Sequence, residues 1–440
     1  MNQLLRLLFA IVICVAGAAA PLDAQAPDTA TTWLKVSRLF DSETGTLIGP
    51  RIVRVKGHVI EAVEPAMTIP DGGRVIDLTR YTVLPGLIDA HTHLLYLEKV
   101  EASDPTGEGT KAVLIEGLPL RALHGAARAR TFLDAGITTV RDLGNAGRFG
   151  DVALKTAIAD GSLPGPRMFV AGPGLSPIGG QFPGLTPENI AIAEQEYRIV
   201  RSPTEAADAV RENVTFGADV IKIYSNNTPN RGSLSLEEMQ AIVAAAKRLG
   251  VRVAAHATDD AAVWRAAFAG VNSIEHAYEV SDTTLALMAK NGVALVPTDV
   301  DSVSIVALTR MAARSGQPPM PLSAVSAYLA PLRDRLRRAR AAGVTIVAGS
   351  DNYLDFKMPQ GEAAKFNLRA YAEGGMPVTQ VLQAATINAA RLIGPKSRVG
   401  VIKPGMLADI IAVDGDPTAS IDALFRVMFV MANGRVHKAP

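Results

Sequence analysis

Val83-Leu84-Pro85-Gly86-Leu87-Ile88-Asp89-Ala90-His91-Thr92-His93 is apolar almost throughout and turns polar only towards its end. A strand buried on both faces reads this way when its C-terminal end opens into a site. Seven further runs share the pattern: Ile137–Leu143, Arg167–Ala171, Asp219–Tyr224, Arg252–His256, Ser273–His276, Ala294–Thr298 and Thr345–Asp351. Helix-like segments with readable boundaries separate them. Ser202-Pro203-Thr204-Glu205 offers an N-cap, a Pro at the first helical position and a Glu at the third, with Gly217 beyond the helix. Ser235 with Glu238 repeats the capping-box pattern, closed by Gly250. Eight strands alternating with helices predict an α/β fold of the (β/α)8 TIM-barrel type, with its site on the loops that follow the strands. A doubly wound open sheet competes, but no Gly-x-Gly-x-x-Gly follows the first strand.

Outward from this core, both chain ends change character. Leu34–Val36, Arg51–Val55, His58–Val63 and Arg74–Leu78 are short alternating runs split by Gly45, Gly57 and Asp71-Gly72-Gly73. Gly400-Val401, Ala408–Val413, Val427–Ala432 and Arg435–His437 match them at the far end. These read as antiparallel strands. The expected organisation is a β-sandwich composed of 25–82 and 395–440 around a barrel at 83–394. Residues 1–24 read as a signal peptide: Arg6 supplies the positive start, Leu7 to Ala20 an apolar stretch, and cleavage fits best after Ala24. That stretch is shorter than the roughly 20 residues that span a bilayer. The expectation is an exported protein, periplasmic or secreted, with no membrane anchor after cleavage.

Cys14, the only cysteine, lies in the leader, so the mature chain has no disulfide and no thiolate ligand. Any metal site must use N and O donors. With 440 residues, 48% of them apolar, the chain can bury a large core. A formal net charge of +1 without a dense Lys/Arg run excludes a nucleic-acid footprint. Homo-oligomerisation stays open.

Four of the seven histidines fall at the ends of predicted barrel strands: His91 and His93 on the first, His256 on the fifth, His276 on the sixth. Residues i and i+2 of a strand share a side, so His91 and His93 can grip one metal from a single edge, and imidazole suits zinc and its neighbours. His58, His124 and His437 read as bystanders. Lys222 lies between Ile221 and Ile223 near the end of the fourth run. Charged, it is costly to bury there; it is either paired with a carboxylate or neutral, and a neutral amine can add carbon dioxide to become a metal-bridging carbamate. Asp351, after Gly349-Ser350, can bind a metal and take a proton from an attacking water. Tyr224 points to the same side as Lys222, either as an aromatic packed at the barrel rim or as a donor to a carbonyl oxygen. The long segments Leu94–Arg121, Gly172–Arg201 and Asp299–Leu322 follow strands one, three and seven, so they are expected to shape the cavity.

Four stretches resemble the metal-dependent amidohydrolase superfamily: Pro85–His93, Gly136–Asp142, Ser273–His276 and Lys403–Ile410. The likeness runs over nearly the whole mature chain and is greatest to the imidazolonepropionase-like branch with its Xaa-Pro dipeptidases, Xaa-Lys/Arg carboxypeptidases and ochratoxin amidohydrolases. It implies a binuclear zinc centre. His91 and His93 would hold the buried metal, His256 and His276 the more exposed one. A carboxylated Lys222 would bridge them, and Asp351 would complete the first site. A hydroxide held between the metals would then attack the carbonyl of an amide or peptide bond. One departure is plain: relatives often carry Gly-Gly-His where this chain has Gly179-Gly180-Gln181.

The expected substrate is a small amide or peptide with a free carboxylate: an N-acyl amino acid, a dipeptide or an ochratoxin-type amide. Arg141, Arg369 and Lys357 are candidate partners for that carboxylate, each with a structural ion pair as the competing role. Hydrolysis of a cyclic amide or lactone is the alternative. Deamination is disfavoured, because the related deaminases use a Glu three residues after the strand-five His and Asp259 stands there. A metal-free binding or scaffold protein would be expected to lose ligands, whereas this chain keeps all six.

Overall fold

This computed structural model describes residues 31–440 apart from 66, 67, 70–72, 100–110, 183, 228, 229 and 313–319. The expected leader at 1–24, Cys14 and parts of the three long segments lie outside the described residues. Seven strands come first: β1 (Thr31–Val36), β2 (Arg38–Asp41), β3 (Thr46–Ile48), β4 (Arg51–Lys56), β5 (Val59–Pro65), β6 (Arg74–Asp77) and β7 (Thr82–Pro85). The middle holds β8 (Leu87–Thr92), β9 (Ile137–Asp142), β10 (Arg167–Val170), β11 (Gly174–Ser176), β12 (Tyr197–Ile199) and β13 (Val220–Tyr224). It continues with β14 (Arg252–Ala257), β15 (Ser273–His276) and β16 (Ala294–Val296). β17 (Ile410–Val413), β18 (Val427–Ala432) and β19 (Arg435–Lys438) end the chain.

β5-β4-β1-β6 form one sheet and β19-β18-β17-β7-β2-β3 another, so strands from both chain ends share a layer. Leu34, Val53, Ile60, Val83, Ile410 and Phe429 of these sheets pack into one apolar cluster, which makes the pair a sandwich. β7 lies antiparallel to β17, with Pro85 opposite Ile410 and Thr82 opposite Val413. The run Val83–His93 therefore divides: its first residues belong to the sandwich, and the expected boundary at 82/83 moves to Gly86. A Cβ on Gly86 would stand 2.1 Å from Thr138 Oγ1, so the crossing from sheet to barrel needs glycine.

The rest of the middle is the (β/α)8-type array. β8, β9 and β13 are buried at every position, each Val, Leu or Ile contributing about 1.5–3 kcal/mol of apolar burial. β10-β9-β8 form one parallel sheet, and β13-β14-β15-β16 continue in parallel within a second. Asp219 N–H donates to Val170 O at 2.8 Å and ties β10 to the start of β13. The eighth run, Thr345–Asp351, is not a regular strand, yet it bonds on both sides. Val347 N–H donates to Leu295 O at 2.9 Å beside β16, while Ala90 N–H donates to Ala348 O at 2.9 Å and Asp351 N–H to His91 O at 2.8 Å beside β8. It thus carries the array from its last strand back to its first. Gly349 makes this passage feasible, since a Cβ there would stand 2.4 Å from Val296 and 2.9 Å from the His91 Cβ.

The helix signals correspond to helices that cover the array. Ser202 caps Pro203–Thr215 by accepting from Glu205 N–H, and Ser235 and Glu238 form the reciprocal capping box of Leu236–Leu249, which ends on Gly250 at φ 71°. Segment 172–201 is less loop-like than its Gly and Pro content suggests, holding β11, β12 and a 3-10 helix at Pro187–Gln195. No helix among the described residues is long and apolar enough to cross a membrane.

Candidate metal centre

Register brings the strand ends level. Tyr224 pairs with His256, and Ala257 with His276, across β13, β14 and β15. His91, His93, Lys222, Tyr224, His256, His276 and Asp351 all line one cavity of about 690 Å³, a volume typical of small-molecule sites. The His91 and His93 rings lie 5.1 Å apart, His91 and His276 5.4 Å, and His256 and His276 4.6 Å. Ligand atoms of His91, His276 and Asp351 fall within 4.8 Å of one another.

In three of the four histidines, one ring nitrogen has a hydrogen-bond partner that leaves the other free. His91 Nδ1–H donates to Glu275 Oε2 at 2.8 Å, which leaves Nε2 bare, 3.4 Å from Asp351 Oδ1. His93 Nδ1–H donates to Gly144 O at 2.9 Å, and its Nε2 lies 3.0 Å from the same Asp351 oxygen. Thr298 donates its hydroxyl to Pro297 O and is therefore the acceptor for His276 Nδ1–H at 2.7 Å. His256 Nε2 is shielded from solvent and has no hydrogen-bond partner among the described residues. A shielded ring nitrogen without a partner calls for an unseen one. With three other imidazoles, a carboxylate and a buried amine around it, the donor set fits divalent metal ions of the zinc type.

Electrostatics agree with that fit. Burial, helped by Lys222, pulls the His91 imidazole down to about 4, and burial holds His256 and His276 well below their usual range. His93 moves upward because Asp351 outweighs its burial. Burial lowers Lys222 to about 8, towards the neutral amine. Burial opposes ionisation of Asp351, yet His91, His93 and His276 hold its carboxyl well below the usual range. Tyr224 is pushed far up by burial and keeps its proton. Its ring stands 5.4 Å from Lys222 Nζ.

The backbone here is strained. Among the non-glycine residues with positive φ are His276 (77°), Ala277 (49°), Thr298 (55°) and Asp351 (49°). Left-handed backbone is unusual for alanine and rarer for β-branched threonine, and such residues persist where the surroundings over-determine them, commonly at functional sites.

The substrate-side residues divide. Gln181 and Phe182 line the cavity, as do Tyr96, Glu98, Ala112 and Arg121 from the first long segment. The expected third contributor, segment 299–322, supplies no lining residue among those described. Its Ile305 packs instead against Val325 and Leu329 of the helix Leu322–Ala341. Arg141, Arg369 and Lys357 do not line the cavity either. Arg141 is buried against Glu275 at 2.9 Å, Arg369 pairs with Asp301 and Asp422, and Lys357 pairs with Asp355. His124 is exposed on the helix Gly117–Asp134. Sequence reasoning missed Asn145, Tyr278 and Tyr353 in the wall. For the tyrosines a signal existed: each lies two residues beyond a site residue, His276 or Asp351, as Tyr224 does beyond Lys222.

Comparison with known proteins places this geometry in context. The model of the Amidohydrolase family matches residues 82–437. Ochratoxinase of Aspergillus niger is 27% identical over 386 residues, covering 81% of this chain and 76% of that protein. Imidazolonepropionase of Porphyromonas gingivalis is 23% identical over 397 residues, 84% of either chain. A crystal structure of a Xaa-Pro dipeptidase with methionine bound in its active site superposes with a TM-score of 0.78 at 28% identity, over 93% of this chain and all of that one.

Proposed function

We propose, from the premise that the chain belongs to the amidohydrolase family, that this hydrolytic enzyme is a two-metal hydrolase of amide or peptide bonds in small, carboxylate-bearing substrates. The observation that carries this reading is the convergence of four histidines, Lys222 and Asp351 on one cavity. His91, His93 and Asp351 would hold one ion, His256 and His276 the other, and Lys222 both. Two divalent ions, zinc by this donor chemistry, would supply water of lowered pKa and a Lewis acid for the carbonyl oxygen.

The chain's own groups do the rest. The neutral Lys222 amine adds carbon dioxide, forming an N–C bond and releasing a proton, and the resulting carbamate is anionic. Asp351 accepts the proton of the attacking water on its carboxylate and returns it to the leaving amine. Tyr224 donates its O–H to the carbonyl oxygen as negative charge develops there. Arg121 is the guanidinium that the described lining residues offer, and Glu196 already pairs with it. A substrate carboxylate would share that cation rather than be clamped by it.

The likeness to ochratoxinase and to a Xaa-Pro dipeptidase supports N-acyl amino acids, dipeptides and ochratoxin-type amides as the substrate set. The leader-like residues 1–24 support action outside the cytoplasm, in the periplasm or beyond. The test is a screen of the zinc-supplemented mature protein on N-acetyl amino acids, Xaa-Pro and Xaa-Lys/Arg dipeptides and ochratoxin-type amides. Turnover of at least one of these classes is expected. Hydrolysis confined to lactones or cyclic amides would replace this reading with the imidazolonepropionase-like one.

A further inference from the structure

The three histidines with identified orienting partners are not treated alike. His93 donates to a backbone carbonyl and His276 to a threonine hydroxyl. His91 alone donates to a carboxylate, that of Glu275. Glu275 is fully buried and heavily held: Arg141 Nη2 donates to its Oε1 at 2.9 Å and Ser273 Oγ to the same oxygen at 2.6 Å. Arg141 is anchored in turn by donating to Ala90 O at 2.6 Å and to Ser273 Oγ at 3.0 Å. The chain Ala90–Arg141–Glu275–His91 thus links β8, β9 and β15 beneath the centre.

On the other side, no carboxylate serves His276 and His256 in this way among the described residues. Thr298 is a neutral acceptor, and Tyr278 Oη stands 3.4 Å from His276 Nδ1. Asp351 Oδ2 is 3.8 Å from that nitrogen, beyond hydrogen-bond length. A carboxylate behind a ligating imidazole fixes its tautomer and raises its basicity, and removing such a partner typically costs 10–100-fold in metal affinity.

We propose that Glu275 is a positioning residue that makes the two metal sites unequal: the His91/His93 site binds its ion more tightly and fills first, and the His256/His276 site exchanges. This rests on the two-metal reading above. The test is equilibrium zinc titration of the metal-free protein against a chromophoric chelator, with folding followed by circular dichroism. Wild type should show two dissociation constants about tenfold or more apart. Glu275→Gln should weaken the tighter one about 10–100-fold and leave the weaker within about threefold. Thr298→Ala should move the weaker site alone, by less than about tenfold. Ser273→Ala removes one hydrogen bond from Glu275 without touching the histidine, and it should weaken the tight site by several-fold even if Glu275→Gln fails to fold.

Two zinc ions bound with equal constants, or a tight site unmoved in both Glu275→Gln and Ser273→Ala, would overturn the inference and leave the two-metal reading intact. Binding of a single ion, or of none, would instead remove that reading.

Discussion

The cavity is lined by a wall of barrel-strand ends and by a loop wall formed from the long segments that connect those strands. His91, Lys222, Tyr224, His256, His276 and Asp351 belong to the first; Tyr96, Gln181, Phe182, Glu196 and Tyr197 belong to the second. The strand wall takes its positions from hydrogen-bonded register, and buried partners such as Glu275 and Gly144 fix its rings. The loop wall is set by contacts among loops: Asn230 Nδ2 donates to Gly180 O at 2.7 Å and Phe182 O at 3.0 Å, and Gly180 packs where a Cβ would stand 2.2 Å from the Tyr197 ring. Under the proposed function, the first wall carries the chemistry and the second the choice of substrate.

If that division is right, substitutions on the strand wall should remove turnover and those on the loop wall should redistribute it. The largest effect is expected from Lys222→Ala and from Asp351→Asn, each lowering kcat by about a thousandfold or more, with short carboxylic acids restoring part of the Lys222→Ala loss. Steady-state kinetics with and without added acetate checks this, and retention of a tenth of wild-type kcat would break the comparison. Tyr224→Phe should follow, at about 100-fold in kcat with KM little changed, the usual cost of one donor to a developing oxyanion.

On the loop wall, Gln181→His should alter the ratio of kcat/KM between two amide substrates by about 10- to 100-fold and leave bound zinc unchanged. A change in zinc content in that variant would show the two walls to be coupled. The smallest effect belongs to neither wall. Ser235→Ala removes the capping box of the helix Leu236–Leu249 and should cost about 1 kcal/mol in thermal or denaturant unfolding, with kcat and KM unaltered.

The same division explains what could be read from the sequence. The strand wall was legible because period and position carry it: a buried strand ends in polar residues, and i, i+2 spacing puts His91 beside His93. The barrel, the two-ended sandwich and the caps at Ser202 and Ser235 followed from local patterns of the same kind. Thr345–Asp351 carries the apolar pattern of a strand although it is hydrogen-bonded without regular strand geometry, because burial, not backbone regularity, sets that pattern. The break at Gly86 went unread, since a glycine forced by Thr138 depends on a neighbour 52 positions along the chain. Asn145, Tyr278 and Tyr353 reach the cavity through turns whose direction is set by packing, and the described helix at the start of segment 299–322 packs on its neighbour instead of lining the cavity for the same reason. The roles of Arg141 and Glu275 are likewise tertiary: an arginine at a strand position can face a substrate or a buried carboxylate, and only the fold distinguishes these.

The proposed function depends on the strand wall holding two ions. The most direct measurement is the metal content of the purified, zinc-replete protein, by inductively coupled plasma mass spectrometry against protein determined by amino-acid analysis. About two divalent ions per chain are expected, falling to one or none in Lys222→Ala. A wild-type protein that is active on an amide yet holds about one ion or fewer per chain would contradict the two-metal reading.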